Sequence, residues 1–458
     1  MTDAAPPSIG APAVNTPASG YGRILYEAHN LALRSGTGIA TYARALAQAA
    51  GRLGYDVDGL FGVERGLTRG NDRLNEVLAF DAVNEDELPS PLEVAWRYLH
   101  YPFNALGGLR PVELPRSGLV MGPIADALRP FQRVFAATRL IDVAEAHFKI
   151  YGRFVQLKLD VCPSLFHATQ VAPLAVKGCP NIYTIHDLVP LRLPYTTLDN
   201  KKYFYRLLTS LARTADHVVT VSEYSRRDII EHLGIDERRV TNTYQAVDIP
   251  TEVLARSDDE VADELAKLFG LQFGGYFLFY GALEPKKNVS NLVDAYAASG
   301  SKLPLIVAGG GGWQNRTDLR KIRNERFVNF RIDGDIVRRE RQVRRLEYLP
   351  RDQLFTLIRG ARALLFPSIY EGFGLPVIEA MALGTPVVTS NVSSLPEVAG
   401  DAALLVDPYS IDDITRAIRA IEADADLRGA LIERGRGQAR TFSTDAYDER
   451  LRQLYKKI

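Results

Sequence analysis

The sequence predicts an α/β protein built as two doubly wound domains facing a cleft. Short apolar runs such as "NIYTIHDLVP" (181–190), "GYFLFYGAL" (275–283) and "ALLFPS" (363–368) alternate with amphipathic helical stretches. That alternation is the pattern of a mostly parallel sheet covered by helices. At 458 residues the chain is also long for one hydrophobic core, so two domains are expected. Finally, an acidic helical stretch starting at a proline, "PTEVLARSDDEVADELAKLFGLQ" (250–272), divides the strand–helix alternation into two series.

Residues 1–20 have the Ala, Pro, Ser and Gly bias of a disordered tail, without the basic and apolar regions of a secretory signal. The first domain is expected over 21–250. It opens with a strand in "GRILYEAHN", a loop "LALRSGTG" and a helix "IATYARALAQAAGRLG". Residues 60–160 show helical patterns broken by Pro and Gly. The segment 115–140 mixes basic and apolar residues and reads as core and edge helices, with a membrane-surface contact as the alternative. "DHVVTVS" is a strand leading into a helix with Ser222 as N-cap and Gly234 as its stop. Residues 251–273 form the linker. The second domain, 274–440, runs strand, helix "NVSNLVDAYAAS", strand "LPLIVAGGGG", and onward to "TPVVTS" and "AALLVDP". A last helix, 441–458, is expected to pack back toward the first domain.

Composition narrows the function classes. Hydrophobic residues make up 46% of the chain and charged residues 24%, as in ordinary globular proteins. Fifty-five basic and 55 acidic residues cancel, which argues against a nucleic-acid partner. Cys162 and Cys179 form neither a metal-binding spacing nor a disulfide framework, so two reduced thiols in a cytoplasmic protein are expected. The Arg-rich stretch around 338–345 reads as a solvated charged face. No apolar run reaches the length of a membrane span.

The chemistry concentrates in "SIYEGFGLPVIEAMALGTPVVTS" (368–390). Glu371 falls in the loop at a strand's carboxyl end and Glu379 near the start of the next helix, whose first turn accommodates Pro376. Ligands of open α/β sheets gather at this end. Gly372 and Gly374 allow close backbone approach, the exposed N–H groups of the helix start favour an anion such as a diphosphate, and Leu375 beside them is a further donor-binding candidate. Ionised carboxylates only accept hydrogen bonds, so the pair suits hydroxyls of a sugar and a ribose. "GALEPKKN" (281–288) offers Lys286 and Lys287 as partners for a departing diphosphate. His186 and Asp187 stand at another strand's carboxyl end. Gly36, Thr37 and Gly38 make a tight turn before a helix, without the third glycine of a dinucleotide fingerprint.

Glu371 through Glu379 resembles the E-x7-E signature of the retaining GT-B glycosyltransferases of family 4, and residues 366–408 are similar to that family throughout. The resemblance implies a GT-B fold of two Rossmann-like domains. It gives Glu371 to hydroxyls of the donor sugar and Glu379 to the ribose. The backbone of Gly372, Phe373 and Gly374 then faces sugar and diphosphate. Lys287 corresponds to the family's lysine. Many members carry an arginine where this chain has Ala282, which leaves Lys286 as the second cation. By the same resemblance His186 orients the sugar near its anomeric carbon and is no general base, and the Gly36–Gly38 loop lies over the cleft.

The function these features imply is retaining transfer of a hexose from a nucleotide donor, GDP-mannose first, without a cofactor or metal. The acceptor is a glycan or lipid-linked glycan, in bacterial polysaccharide or lipopolysaccharide O-antigen synthesis, with peripheral contact at the inner face of the plasma membrane as an option. The alternatives are a sugar-nucleotide epimerase or hydrolase of the same architecture, and a non-catalytic partner subunit.

Overall fold

The computed structural model describes residues 21–32, 38–64, 66–67, 72–80, 100–117, 128–312, 316–333, 336–347 and 349–458. The expected tail 1–20 and the loop residues Gly36 and Thr37 lie outside them.

Strands β1 (Arg23–Glu27), β2 (Asp56–Val63), β3 (Val112–Leu114), β4 (Arg133–Thr138), β6 (Leu165–Ala168), β8 (Asn181–Thr184), β9 (His217–Thr220) and β10 (Val240–Asn242) form one sheet; β5 (Val155–Leu157) and β7 (Leu174–Val176) pair separately. Its order is β10-β9-β8-β6-β1-β2-β4-β3, parallel except for β3 against β4. The second half begins with β11 (Phe277–Tyr280), β12 (Leu305–Ala308), β13 (Val328–Asp333), β14 (Ile336–Arg341) and β15 (Val343–Leu346), and ends with β16 (Ala363–Phe366), β17 (Val387–Ser390) and β18 (Leu404–Val406). Six of these build an all-parallel sheet, β15-β12-β11-β16-β17-β18.

The sequence dictates this directly. β11, β12, β16 and β17 are buried along their whole length, which is why they read as unbroken apolar runs rather than alternating ones. Burying each large side chain there contributes about 1.5–3 kcal/mol. Ser222 caps the helix Glu223–Leu233 and Gly234, in the left-handed region, ends it. The acidic stretch is two helices, Thr251–Ala255 and Asp258–Phe269, because Ser257 and Glu260 form a capping box that starts a new one. The helix Thr444–Lys457 returns to the first sheet: Arg52 pairs with Asp448, and Tyr455 Oη lies 2.7 Å from Tyr26 Oη and 2.9 Å from His167 Nδ1.

Two expectations need correction. Residues 133–138 are not a helix but strand β4, since every second side chain or so faces the core and the run pairs along β2. The Arg-rich stretch is not one solvated face. Its first part is β14 of an antiparallel ribbon with β13; Arg344 then donates to the Phe269 carbonyl at 2.6 Å and Arg345 pairs with Glu347.

Candidate functional site

The carboxyl ends of β11 and β16 are adjacent, so the loops that follow them meet. The lysine loop ends in a 3₁₀ turn, Pro285–Lys287, and is stitched to the Glu371 loop by backbone. Lys286 O accepts from Ile369 N at 2.7 Å and from Ser368 Oγ at 3.1 Å. Asn288, in the left-handed region, donates to the carbonyls of Pro367 and Pro408. Gly281 and Gly309 are both at strongly positive φ, and a Cβ on Gly309 would sit 2.0 Å from Gly281 O. Only glycine lets the loops after β11 and β12 lie backbone to backbone.

This frame brings Lys287 Nζ 2.7 Å from Glu371 Oε1 and 4.9 Å from the centre of the Phe366 ring. Glu371 is 6% exposed. Burial by itself raises a carboxyl pKa, yet the charges of Lys287 and Lys286 and the bonds from Lys287 and Ser368 hold this one below its usual value. Both bonds fall on Oε1, so Oε2 keeps acceptor capacity. Burial disfavours the charge on Lys286, but Asp187, Glu371 and Glu284 outweigh it and raise its pKa. Lys286 therefore keeps its positive charge at neutral pH despite its burial, the first requirement for holding a diphosphate.

Glu379 stands in the helix Leu375–Ala382, whose N-cap is Gly374 at φ 110. Its Oε2 accepts from Tyr280 Oη at 2.7 Å. Burial raises its pKa, opposed by that bond and by Arg351. The two acids thus face different surroundings: one is fixed in a lysine pair, the other leans on a phenol.

From the first sheet, His186 and Asp187 follow β8. His186 Nε2 lies 2.9 Å from the Thr169 carbonyl, which can only accept, so Nε2 carries the hydrogen. Burial lowers the imidazole pKa against the pull of Thr169 and Asp187. The ring is neutral, with Nδ1 as an acceptor. Tyr42 meets it edge-on, ring centres 4.8 Å apart. Gly372 closes the approach: a Cβ there would stand 2.7 Å from the His186 carbonyl oxygen and 3.2 Å from the Asp187 carboxylate. The glycine expected to admit a ligand is also what lets the two loops touch.

Among the expected residues, His186, Lys286, Lys287, Glu371 and Gly372 converge. Glu379, Gly374 and Leu375 continue the same wall through the helix start. Phe373 contributes only backbone, because its side chain is buried in a cluster with Tyr244 and Phe442. Gly38 opens the helix Gly38–Arg52, and a Cβ there meets nothing within 4 Å. Sequence reasoning missed Ser368, Tyr280, Thr169, Ser393 and Ser394. The only available signal was the serine pair in "NVSSLPE", directly after a strand. Among the described residues, Asp228, Glu231 and His232 place ligand-type atoms within 4.8 Å of one another. Asp228 is already bonded to Tyr370 and paired with Arg192, so that group is committed to protein contacts.

Comparison with known proteins places both halves of the chain among glycosyltransferases. The family described as "Glycosyl transferases group 1" matches residues 274–438, and "Glycosyltransferase Family 4" matches 122–250. The O-antigen chain mannosyltransferase B of Escherichia coli is 36% identical over 267 residues, 57% of this chain and 66% of that protein. The O-antigen chain mannosyltransferase RfbU of Salmonella typhimurium is 29% identical over 239 residues, 52% of this chain and 60% of that one. The serotype-specific mannosyltransferase WbdA of Escherichia coli is matched over only 31% of its length. Among solved structures, Anabaena Alr3699/HepE in complex with UDP and glucose superposes with TM-score 0.64 at 14% identity, covering 95% of this chain and 100% of that one. WaaG, a glycosyltransferase involved in lipopolysaccharide biosynthesis, gives TM-score 0.58 at 13% identity, with 94% and 99% covered.

Proposed function

The chain belongs to the GT-B glycosyltransferases of family 4, and from that premise we propose that it transfers a hexose from a nucleotide donor to a glycan or lipid-linked glycan. The reaction retains the anomeric configuration, the donor of first choice is GDP-mannose, and the product belongs to a surface polysaccharide or O-antigen. The mannose choice is supported by relatives named O-antigen mannosyltransferases. A nucleotide-sugar donor is supported by the UDP and glucose in the Anabaena structure.

The observation that carries the reading is the Lys287–Glu371 pair at 2.7 Å, with Lys286 beside it and His186 opposite. Two fixed cations stabilise the charge that develops as the bond from the anomeric carbon to the diphosphate breaks. Because they are positioned before the reaction, no reorganisation is needed at that moment. Glu371 accepts from hexose hydroxyls through Oε2, Glu379 from ribose hydroxyls, and neutral His186 from a sugar hydroxyl through Nδ1. The acceptor oxygen attacks on the face the leaving group departs from, and its proton passes to the leaving phosphate oxygen. The lysines supply the positive charge, so a metal is not required.

A thermal-shift series with GDP, UDP and ADP, followed by transfer from the matching labelled sugar nucleotide, tests this. GDP should raise the melting temperature most; a preference for UDP overturns the donor choice. Product of inverted configuration overturns retention, and loss of turnover in chelator, restored by Mg²⁺, overturns the metal-free chemistry. Among the described residues no helix is long and apolar enough to cross a membrane. Peripheral contact with a membrane carrying a lipid-linked acceptor is part of the proposal, and vesicle co-sedimentation checks it.

A further inference from the structure

Residues 394–397, Ser-Leu-Pro-Glu, spell the S-x-x-E of a capping box. In such a box the serine hydroxyl takes the N3 backbone N–H and the glutamate reaches back to the N-cap. Here neither group does so. Ser394 is the N-cap of the helix Leu395–Ala399 but makes no cap bond. Its hydroxyl instead lies 2.9 Å from Glu371 O and 2.8 Å from Phe373 O, while Ser393 Oγ accepts from Glu371 N at 3.1 Å. The start of this short helix therefore holds the backbone of the loop that carries Glu371.

Glu397, one turn on, reaches the other half of the molecule. Its Oε1 accepts from Glu223 N at 2.7 Å and its Oε2 from Tyr224 N at 3.1 Å. These are the first two N–H groups of the helix Glu223–Leu233, and Ser222 Oγ takes the third, that of Ser225. A carboxylate at a helix N-terminus makes charge-assisted bonds and meets the positive end of the helix dipole. Two more contacts run beside it. Ser225 Oγ donates to Gly372 O at 3.3 Å, and Tyr370 Oη donates to Asp228 Oδ2 at 2.7 Å. Behind them the rings of Tyr244, Phe373 and Phe442 pack together, with centres 5.2 to 6.4 Å apart.

We propose that Glu397 is a positioning residue for transfer. Through the serines of its own helix it is tied to the Glu371 loop, and through its carboxylate to the helix that follows β9. It thereby fixes the spacing between the Lys287–Glu371 pair and His186. The proposal rests on the functional reading above for its kinetic consequence, but the clamp itself is a structural statement.

The test compares Glu397→Ala, Glu397→Gln and Tyr370→Phe with the wild type. Three quantities are measured: steady-state transfer, nucleoside diphosphate affinity by calorimetry, and the radius of gyration by small-angle scattering. Glu397→Ala should lower kcat at least tenfold, leave nucleotide Kd within twofold, and enlarge the unliganded molecule. Glu397→Gln, which keeps the length and one acceptor oxygen, should fall between Ala and wild type. An unchanged kcat in Glu397→Ala overturns the proposal, as does nucleotide affinity that weakens in step with kcat. If the Ala variant does not fold, Tyr370→Phe, which loses only the bond to Asp228, should show the same split; unchanged kcat and size there overturn the clamp. If the wild type transfers no hexose, the functional reading fails, and the scattering comparison alone still decides whether the clamp exists.

Discussion

The two sides of the cleft hold their polar groups in opposite ways. On the second-sheet side, charge is buried and compensated: Lys286, Lys287, Glu284 and Glu371 act on one another within two stitched loops. On the first-sheet side, Asp187 lends its charge to Lys286, but three other groups are pushed toward their neutral forms by burial. His186 is lowered, His167 is lowered to about 3, and Glu27, at the carboxyl end of β1, is raised to about 7. The difference separates two tasks. A diphosphate needs permanent positive charge, and lysines keep it in a buried place only if acids neutralise the cost. Hydroxyl groups need acceptors and donors of fixed direction, which neutral, hydrogen-bonded side chains supply without attracting water.

The sharpest way to break the comparison is at Lys287. Lys287→Ala should cut turnover about 10²–10³-fold, as the loss of a preorganised charge does. It should also lower the melting temperature, because a buried carboxylate left without its partner costs about 3–5 kcal/mol. Lys287→Met combined with Glu371→Gln should recover the melting temperature and none of the turnover; recovered turnover would mean that the pair is structural only. On the neutral side, His186→Ala should lower kcat about 10- to 100-fold, the worth of a hydrogen bond to a charged transition state, with nucleotide affinity unchanged by calorimetry. Glu379→Ala should raise the donor KM about tenfold while kcat stays nearly constant, if its bond is made equally in the ground and transition states.

The smallest effect is a stability profile. Glu27 has a folded pKa of about 7 against an ordinary 4.5, so the folded state holds its proton more tightly. Its contribution is present below pH 4.5 and is lost as pH rises through 7. Glu27→Gln removes that loss, and its melting temperature should gain on the wild type as pH rises from 5 to 8. A constant difference across that range would show that the carboxyl is ionised throughout. His167 acts with the other sign, since a folded pKa near 3 means stability is lost as pH falls below about 6.5.

Much of the second half was legible because each of its signals is local. A buried strand is an unbroken apolar run, and Glu371, Glu379 and Lys287 all lie in the loop or helix that directly follows one. The first half gave less. The described residues of its stretch 60–160 mix short strands with helices, and β4 read as helix because six residues of mixed polarity carry too little periodicity. Phe373 shows the limit within a well-read motif. Its backbone position follows from the glycines on either side, but its burial against Tyr244 and Phe442 depends on residues more than sixty positions away.

The sequence by itself determined the alternation of strand and helix, the parallel sheets, the helix caps at Ser222 and Gly234, and the acids, lysines and histidine that stand at strand ends. Those follow from local rules of periodicity, capping and loop placement. Only the tertiary structure decided which groups pair. Ser394 and Glu397 have the spacing of a local cap, and within one helix they would have satisfied each other. Instead the fold offers Ser394 the carbonyls of Glu371 and Phe373, and offers Glu397 two orphan N–H groups of a helix from the other sheet. A hydrogen-bonding group goes to the partner that the packed chain brings within reach, and which partner that is depends on how the two sheets meet.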